Sequence, residues 1–338
     1  MSNYQNNQCT DIRRVAVVGS GLAGLSAAIL LKQQNYSVTV FEKSRGPGGR
    51  LAAKRVTGGS VDMGAQYFTI RNPEFRVFLE KNAGNECFGP WQGRLGFQQP
   101  DGCWQPFPDE ARFVGIPRMT AISRALSSNI DLQQEVRIET MARKDNEWFL
   151  TDASSRRYGP FDQVVVTAPP AQARDLLADS HLMDLASTLD EPVSAIQPCW
   201  ALAVHFESAS DVEFEGMRPH NDILSWIANN SSKPGREGQG QWWVLHATSQ
   251  WSAEHVETST DRVTDTMLSA FREITGSTAL PDETTAHRWL YARSEGDGRS
   301  GCLWFPEEGI GLAGDWLSGG RVEGAFDSAR ALVTTMTR

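Results

Sequence analysis

Three glycines and one carboxylate near the start of the chain have the spacing of a site for a nucleotide diphosphate and its ribose. Gly19, Gly21 and Gly24 form the pattern G-x-G-x-x-G, and Glu42 follows 18 residues after the last of them. The first glycine of this pattern permits a tight turn, the second leaves room for a diphosphate, and the third lets a helix pack closely on a strand. A carboxylate at this distance accepts hydrogen bonds from the ribose hydroxyls and repels a 2′-phosphate. The four residues therefore predict a bound dinucleotide with a free ribose.

The segments around these glycines have the hydrophobic patterns of a strand, a helix and a second strand. Residues 15–18 form a short apolar run, as a buried parallel strand requires. Residues 25–34 carry apolar side chains at helical spacing, and residues 37–41 alternate as a strand. The N-terminus of such a helix offers unpaired N–H groups and a positive dipole end to phosphates. An ordinary βαβ turn is the alternative, but the position of the glycines between two strands favours the nucleotide site.

Two more glycine-containing turns follow the second strand. Gly49 and Arg50 close a loop with adjacent glycines, and residues 62–68 (Asp-Met-Gly-Ala-Gln-Tyr-Phe) form a turn that ends in polar and aromatic side chains. Adjacent glycines let the backbone lie directly against a ligand. A plain NAD dehydrogenase would instead continue into another helix and strand, so these turns disfavour that class. A glycine-rich surface loop is the alternative interpretation.

The C-terminal segment contains a third strand–turn–helix combination. Residues 309–313 form a short apolar strand that is followed by Gly314 and Asp315, and residues 319–326 lead into a helix. A carboxylate in this position is either a ligand contact or a helix cap.

Together these motifs resemble the FAD-binding amine oxidase superfamily, and the resemblance covers nearly the whole chain. It implies non-covalent FAD, with the second glycine pair supporting the diphosphate and ribityl chain. Arg50, together with Arg45, would neutralise phosphate charge. Asp315 would bind a ribityl hydroxyl or a phosphate, and the last helix would point its N-terminus at the N1–C2=O edge of the flavin, where the reduced ring is anionic.

The cofactor-binding residues implied by the resemblance lie at both ends and in the middle of the chain. A strand over residues 133–138 would pair with adenine through Val136 or Arg137, with an ordinary sheet strand as the alternative. Covalent attachment through Cys302 is disfavoured because no neighbour in the sequence activates that thiol. The complete set is Gly19, Gly21, Leu22, Ala23, Gly24, Glu42, Lys43, Arg45, Gly49, Arg50, Gln66, Tyr67, Phe68, Val136, Ala168, Gly314, Asp315, Arg321 and Val322.

Composition limits the class of protein. The 338 residues are 40% hydrophobic and 22% charged, which is typical of a globular protein long enough for two domains. A net charge of −9 argues against a nucleic-acid surface, and no apolar run approaches the roughly 20 residues that span a bilayer. Five scattered cysteines without C-x-x-C, and a polar segment over residues 1–12, lead us to expect a cytoplasmic protein without a metal site.

The segment from about residue 179 to 300 differs from the rest because its hydrophobic residues alternate with period two, as in half-buried antiparallel strands. The four alternating runs are 199–206, 223–228, 241–248 and 286–292, with a helix predicted over 259–274. The predicted fold class is therefore α/β, with a Rossmann-like FAD-binding domain and an α+β substrate domain on a mainly antiparallel sheet. By resemblance the topology is that of amine oxidases and p-hydroxybenzoate hydroxylase. The predicted domains are 1–72, 112–178 and 301–338 for FAD, and 73–111 and 179–300 for substrate.

Aromatic residues on these strands are the candidate substrate contacts. Trp289 and Tyr291 share one strand face, and Trp242 and His246 share another. Because a strand-borne aromatic residue is often core, packing is the alternative role for each. We expect Trp289 and Tyr291 to form the wall of the catalytic site, with His246, Gln66 and Tyr67 as polar contacts at its edge.

Four segments favour one branch of the superfamily, the renalase-like proteins. They are residues 62–68, 198–201, 287–292 and 319–325. The resemblance implies oxidation of the 2- and 6-dihydro isomers of NAD(P)H to NAD(P)+, with dioxygen reduced to hydrogen peroxide. The expected partners are therefore a small dinucleotide substrate and dioxygen. Such a dihydropyridine gives up hydride without a base, so catalysis is mostly positioning.

Other functions stay open at this stage. Flavin amine oxidases usually carry a lysine on a strand of the substrate domain, whereas the one lysine after residue 145 is Lys233, in a predicted loop. That difference disfavours simple amine oxidation but leaves other oxidase or desaturase activity open. A non-catalytic protein that uses the fold to bind a partner is a further alternative, disfavoured by the intact glycines. The sequence does not indicate an oligomeric state.

Overall fold

The structure is a computed structural model that describes residues 12–208, 212–295 and 300–338. The polar segment 1–12 lies outside these residues apart from Ile12. The helices are α1 (Leu22–Gln33), α2 (Pro73–Asn82), α3 (Thr120–Ser127), α4 (Pro170–Asp179), α5 (Met183–Ser187), α6 (Asp190–Ser194), α7 (Ser249–Glu254), α8 (Thr260–Thr275) and α9 (Val322–Met336). The strands are β1 (Arg14–Val18), β2 (Ser37–Glu42), β3 (Ala53–Val56), β4 (Gly59–Asp62), β5 (Phe88–Pro90), β6 (Leu95–Gln98), β7 (Trp104–Pro106), β8 (Phe113–Gly115), β9 (Asp131–Gln134), β10 (Ile138–Lys144), β11 (Glu147–Asp152), β12 (Arg157–Phe161), β13 (Gln163–Val166), β14 (Ile196–Phe206), β15 (Gly216–Arg218), β16 (Leu224–Asn229), β17 (Gln241–Ala247), β18 (Glu283–Ser294), β19 (Leu303–Phe305) and β20 (Ile310–Leu312).

A six-stranded sheet is built from both ends of the chain, in the order β19-β20-β13-β1-β2-β9. Its strands are parallel except for the edge strand β19. One face is covered by α1 and α9, and the other by α4 and the three-stranded sheet β10-β11-β12. Because both faces are covered, β1 and β13 are apolar after their first residues, Arg14 and Gln163, as the sequence predicts.

The second large sheet has seven strands and is mainly antiparallel, in the order β18-β14-β17-β16-β15-β6-β7. Alternation along β14 divides its side chains between the two faces, as predicted. Trp200 and Leu202 pack with α8, whereas Ala201 and Ala203 face Val61 and the segment that follows it. The face opposite α8 is therefore directed at the turn after β4.

The division into two domains stays a prediction, although both sheets draw their strands from the segments proposed for them. The strand predicted over 133–138 is wrong in its extent. β9 ends at Gln134, Glu135 has a φ of 58°, and β10 starts at Ile138 in a different sheet. The left-handed conformation at Glu135 turns the chain, which hydrophobic alternation does not reveal.

The described residues contain neither a membrane-spanning helix nor a cluster of metal ligands. No helix in the described part of the chain is long and apolar enough to cross a membrane. Within the same residues, no group of three or more His, Cys, Asp or Glu side chains could hold a metal ion.

Two glycines permit backbone segments to approach more closely than any other residue would allow. A Cβ atom on Gly24 would lie 2.0 Å from the carbonyl oxygen of Gly19, and one on Gly64 would lie 2.0 Å from that of Arg50. In contrast, a Cβ atom on Gly21 would have no neighbour within 4 Å. Gly24 and Gly64 therefore serve packing, whereas the space beside Gly21 is open to a ligand.

This contrast predicts different effects for two substitutions in one motif. Gly24→Ala should lower the free energy of unfolding of the ligand-free protein by about 2 kcal/mol or more, because α1 must move away from the turn. Gly21→Ala, the matched control, should cost less than about 1 kcal/mol. Urea denaturation of both variants measures the difference. Equal losses would contradict the packing role of Gly24.

Candidate functional site

The first glycine turn leaves the start of α1 accessible. Gly19 has a φ of 107° and donates its N–H to the carbonyl of Phe41 at 2.8 Å, which joins the turn to β2. Gly21 is the N-cap of α1, no side chain caps the helix, and its first turn contains no acid. A Cβ atom on Gly49 would lie 3.5 Å from the Cα of Gly21. The two glycine loops therefore meet at an uncapped helix N-terminus, which is suited to a diphosphate.

Glu42 lies at the end of β2 and is buried. Its Oε2 accepts hydrogen bonds from the backbone N–H and the hydroxyl of Ser20, at 3.0 and 2.6 Å. Its Oε1 accepts from the N–H of Ser44 at 2.8 Å. These bonds fix the carboxylate beside the glycine turn, and each oxygen keeps lone-pair capacity for a ribose hydroxyl.

Arg50 and Asp315 come together from opposite ends of the sequence. The guanidinium donates to both carboxylate oxygens of Asp315, with Nη1 to Oδ2 at 3.0 Å, and Nη1 also donates to the carbonyl of Ala292 at 3.2 Å. Arg45, expected to assist Arg50, instead lies 3.7 Å from Glu135 with its side chain 94% exposed. Arg50 is thus held by Asp315, and the expected role of Arg45 beside it at the phosphates stays a prediction.

The other predicted cofactor residues differ in their accessibility. Lys43 donates to the side chain of Gln172 at 3.0 Å, and burial lowers its pKa. The N–H of Val136 donates to the carbonyl of Glu42 at 2.9 Å, so a contact with adenine has to use another group of Val136. Phe68 is buried among the rings of Phe75, Phe88 and Phe113 and serves packing.

The remaining members of the set lie beside the ends of the strands or helices named above. Leu22 and Ala23 open α1 and are buried, Ala168 follows β13, and Arg321 is the N-cap of α9, ahead of Val322. Burial raises the pKa of the Cys302 thiol, which disfavours a thiolate that could attach a cofactor.

The turn over residues 62–68 is locked against the second glycine loop. The N–H of Ala65 donates to the carbonyl of Arg50 at 2.9 Å, at the point where Gly64 has no room for a side chain. The position of Arg50 therefore also fixes the position of this turn.

One carbonyl in the turn holds two of the predicted catalytic side chains. The oxygen of Met63 accepts the indole N–H of Trp289 at 3.0 Å and contacts Nε2 of His246 at 3.2 Å. Since a carbonyl only accepts, His246 carries its proton on Nε2 and leaves Nδ1 as a free acceptor. Burial lowers the pKa of His246 to about 4, so the ring is neutral at physiological pH. Tyr291 lies two residues further along β18 and is half-buried.

A buried charge cluster lies directly behind this carbonyl. The side chain of Asp62 is 1% exposed, and its Oδ2 contacts Nζ of Lys233 at 3.2 Å and the guanidinium of Arg236. Its Oδ1 accepts the N–H of Met119 at 2.9 Å. Burial alone would raise the pKa of Asp62, but the two cations and this hydrogen bond lower it. Burial lowers the pKa of Lys233 to about 8, against the opposing effect of Asp62.

Gln66 belongs to this cluster rather than to an open edge of the site. Its Nε2 donates to the carbonyls of Asp62 and Gly64, the latter at 3.0 Å, and its Oε1 accepts from Lys233 at 3.0 Å. Both amide hydrogens are used within the protein. The structure therefore gives Gln66 a positioning role in the turn, whereas sequence reasoning expected a contact at the edge of the site.

Lys233 and Arg236 are residues whose role sequence reasoning missed. Lys233 does lie in a loop, after the short 3-10 helix Asn230–Ser232, as predicted. Its side chain is nevertheless fully buried. The available signal was Asp62, because an acid at the end of a buried strand requires a cation. Nothing in the sequence indicates which of the 32 lysines and arginines supplies it.

The charge cluster predicts a ranking of two substitutions. Asp62→Asn leaves two buried cations without a carboxylate and should lower the free energy of unfolding by roughly 3–5 kcal/mol. Lys233→Met leaves a one-to-one pair of Asp62 and Arg236 and should cost about 1–2 kcal/mol. Urea denaturation measures both, with Glu80→Gln in an exposed pair as the control at below about 0.5 kcal/mol. A larger loss for Lys233→Met would refute this account.

His246 predicts a pH dependence of stability. Its pKa falls from 6.5 to about 4 on folding, so the unfolded chain binds the extra proton between these values. The free energy of unfolding should therefore fall as pH drops through this window, by on the order of 2–3 kcal/mol more than in His246→Gln. Above pH 6.5 the difference between the two proteins should be constant. Parallel pH profiles throughout would show that His246 is not buried as described.

Comparison with known proteins identifies the fold. A model of the NAD(P)-binding Rossmann-like domain matches residues 17–81. A 1-hydroxycarotenoid 3,4-desaturase of Flavobacterium sp. is 42% identical over 153 residues, which are 41% of this chain and 31% of the desaturase. This chain thus matches less than a third of that relative's length.

Two further proteins match over most of their length. Renalase of Mus musculus is 22% identical over 302 residues, which cover 83% of this chain and 85% of the renalase. The structure of cyclohexylamine oxidase from Brevibacterium oxydans is similar with a TM-score of 0.71 and 12% identity, over 96% of this chain and 98% of that one. These matches confirm the predicted fold class. The chain has the fold of the FAD-dependent amine oxidases, with a Rossmann-like dinucleotide-binding segment near its start.

Proposed function

We propose that this chain is an FAD-dependent oxidase that takes a hydride from the 2- or 6-dihydro isomers of NAD(P)H and delivers the electrons to dioxygen. The substrate loses two electrons and one proton as hydride and becomes the aromatic NAD(P)+. Dioxygen takes the two electrons, the proton of that hydride and one proton from solvent, and leaves as hydrogen peroxide. The observation that carries the proposal is the joint anchoring of Trp289 and His246 on the carbonyl of Met63.

The residues present fit non-covalent FAD. The uncapped start of α1, with open space beside Gly21, suits the diphosphate, and the buried carboxylate of Glu42 suits the ribose. Arg50 and Asp315, which come from opposite ends of the chain, would contact the phosphates or the ribityl chain. When bound there, FAD supplies the two-electron acceptor for the substrate and the route to dioxygen.

The side chains at the turn suit a substrate that requires orientation rather than a base. Trp289 offers a ring surface, and neutral His246 offers Nδ1 as a hydrogen-bond acceptor. The nearby carboxylate of Asp62 is committed to Lys233 and Arg236. A dihydropyridine becomes aromatic when it loses hydride, so correct placement of its ring accounts for most of the catalysis.

Amine oxidation or desaturation is the second candidate, favoured by the fold shared with cyclohexylamine oxidase and by the desaturase match. Lys233 is a buried lysine, but its Nζ is directed at Asp62 and Gln66 and its side chain has no exposed surface, which disfavours a role toward substrate. The sequence match to renalase covers 85% of the renalase, whereas that to the desaturase covers 31% of the desaturase, which favours the first candidate. The intact first glycine turn and Glu42 disfavour a partner-binding protein without catalysis.

The proposal is tested by mixing the flavin-loaded protein anaerobically with each dihydronicotinamide isomer and recording the loss of flavin absorbance. The 2- or 6-dihydro isomer should reduce the flavin at least about 100-fold faster than ordinary 4-dihydro NADH, because the reacting carbon is placed correctly only in those isomers. Trp289→Ala should slow this reduction about 10-fold or more while the protein keeps its FAD.

The control for this variant is Trp251→Ala. Trp251 is half-buried and lies 4.3 Å from the ring of His255, much as Trp289 lies 4.4 Å from that of His287, but it packs on the α8 side of the sheet. Its loss should leave the rate of reduction unchanged. Equal rates with all isomers would overturn the proposed substrate, and faster reduction by amines would establish the second candidate.

A further inference from the structure

A group of aromatic and arginine side chains continues the sheet face that carries His246. We call it the arginine–aromatic surface, and its members are Tyr67, Phe107, Arg112, Arg218 and Trp226. Trp226 on β16 pairs in register with His246 on β17. Side chains paired in this way project to the same face of an antiparallel sheet. The surface therefore adjoins the site formed by the turn over residues 62–68.

The rings of this surface form a continuous row. Tyr67 and Trp226 have ring centroids 5.3 Å apart, and Trp226 and Phe107 have centroids 5.9 Å apart in an edge-to-face arrangement. Tyr67 belongs to the same turn as Met63, whose carbonyl holds Trp289 and His246. The row thus leads away from these two side chains.

Two guanidinium groups lie over this row. The guanidinium carbon of Arg112 is 4.9 Å from the ring centroid of Phe107 and 5.6 Å from that of Tyr67. The guanidinium carbon of Arg218 is 5.1 Å from the centroid of Phe107. Both guanidinium carbons therefore lie within 5.1 Å of the centre of the same aromatic ring, so two positive charges act on one surface.

Within the described residues, neither guanidinium forms an ion pair with a carboxylate. The acids next to them in the sequence are committed elsewhere, because Glu110 pairs with Arg71 at 2.9 Å and Glu215 pairs with Arg94 at 3.3 Å. Two cations that contact the same ring and have no carboxylate partner among the described residues are unusual in a chain with a net charge of −9.

The contacts of Arg112 leave one nitrogen of its guanidinium without a partner among the described residues. The residue is 9% exposed, and its Nη1 donates to the carbonyls of Pro108 and Glu110, at 3.4 and 2.8 Å. Its Nη2 makes no hydrogen bond to the described residues and is not among the buried atoms that lack a partner. Nη2 is therefore both accessible and unpaired, on a side chain that the backbone holds in place.

We infer that the arginine–aromatic surface binds the phosphate groups of the substrate. This inference rests on the proposed function and narrows its substrate class. Guanidinium groups match phosphate oxygens in charge and geometry. In a nicotinamide dinucleotide one ribose separates the redox-active ring from the diphosphate. A nicotinamide ring beside His246 would therefore place the diphosphate near the neighbouring arginine–aromatic surface. A protonated amine would meet two like charges here and is disfavoured.

The test uses the flavin-loaded protein and measures binding by calorimetry. The probes are NAD+, which carries two phosphates, and nicotinamide riboside, which carries none. Arg218→Gln is the main variant because Arg218 is exposed and its loss spares the fold. The affinity for NAD+ should fall about 5- to 10-fold, whereas that for the riboside should change less than about twofold. Added salt should weaken NAD+ binding and leave riboside binding unaffected.

Arg157→Gln is the matched control, because Arg157 is also exposed and its guanidinium carbon lies 3.8 Å from the ring centroid of Phe149 in another sheet. It should bind both probes like the unmodified protein. Arg112→Lys, which keeps the charge but loses the planar donor set, should also weaken NAD+ binding selectively. Equal weakening of both probes by Arg218→Gln, or none at all, would overturn the inference.

Binding and hydride transfer are separate measurements, so the two proposals can fail independently. If NAD+ binding depends on Arg218 but no dihydronicotinamide isomer reduces the flavin, the phosphate site stands and the reaction is wrong. If the isomers reduce the flavin and Arg218→Gln binds NAD+ as tightly as before, the reaction stands and the phosphate site is wrong.

Discussion

The rest of the site depends on the ion pairs and hydrogen bonds of one buried carboxylate, that of Asp62. It closes β4 and opens the turn over residues 62–68, and it holds Lys233, Arg236 and the N–H of Met119 at one point. A buried carboxylate is stable only when its charge is matched and its oxygens are hydrogen-bonded. Here the partners come from the loop after β16 and from the start of α3. The cluster therefore joins the second sheet to the cofactor-binding half of the chain.

The position of this turn then determines the position of the reactive groups. The close approach of Gly64 to Arg50 fixes the turn from the side of the second glycine loop, and Arg50 is itself held by Asp315. The carbonyl of Met63 consequently points at β17 and β18, where it orients His246 and Trp289. The second glycine loop and the side chains of His246 and Trp289 are thus connected by a few short contacts, and a shift of the turn would move both.

The parts predicted correctly from the sequence are those set by local pattern. Glycine spacing around Gly21 determines the first turn, and alternation along β14 determines which residues meet α8. Tertiary contacts set the parts that were missed. Val136 follows a residue in the left-handed conformation, which ends β9. Gln66 turns inward because its side chain accepts a hydrogen bond from Lys233, which is 167 residues away in the sequence. Neither feature is visible in the local pattern of residues.

Charge distinguishes the two candidate reactions more sharply than the fold does. Asp62, Lys233 and Arg236 together carry one net positive charge behind the turn, and His246 is neutral. Arg112 and Arg218 add positive charge on the arginine–aromatic surface, which adjoins the site. The substrate of an amine oxidase approaches as a cation, and this positive field opposes that approach. The proposed phosphate-bearing dihydronicotinamide would instead be attracted, and its uncharged ring would reach Trp289 without a change in protonation.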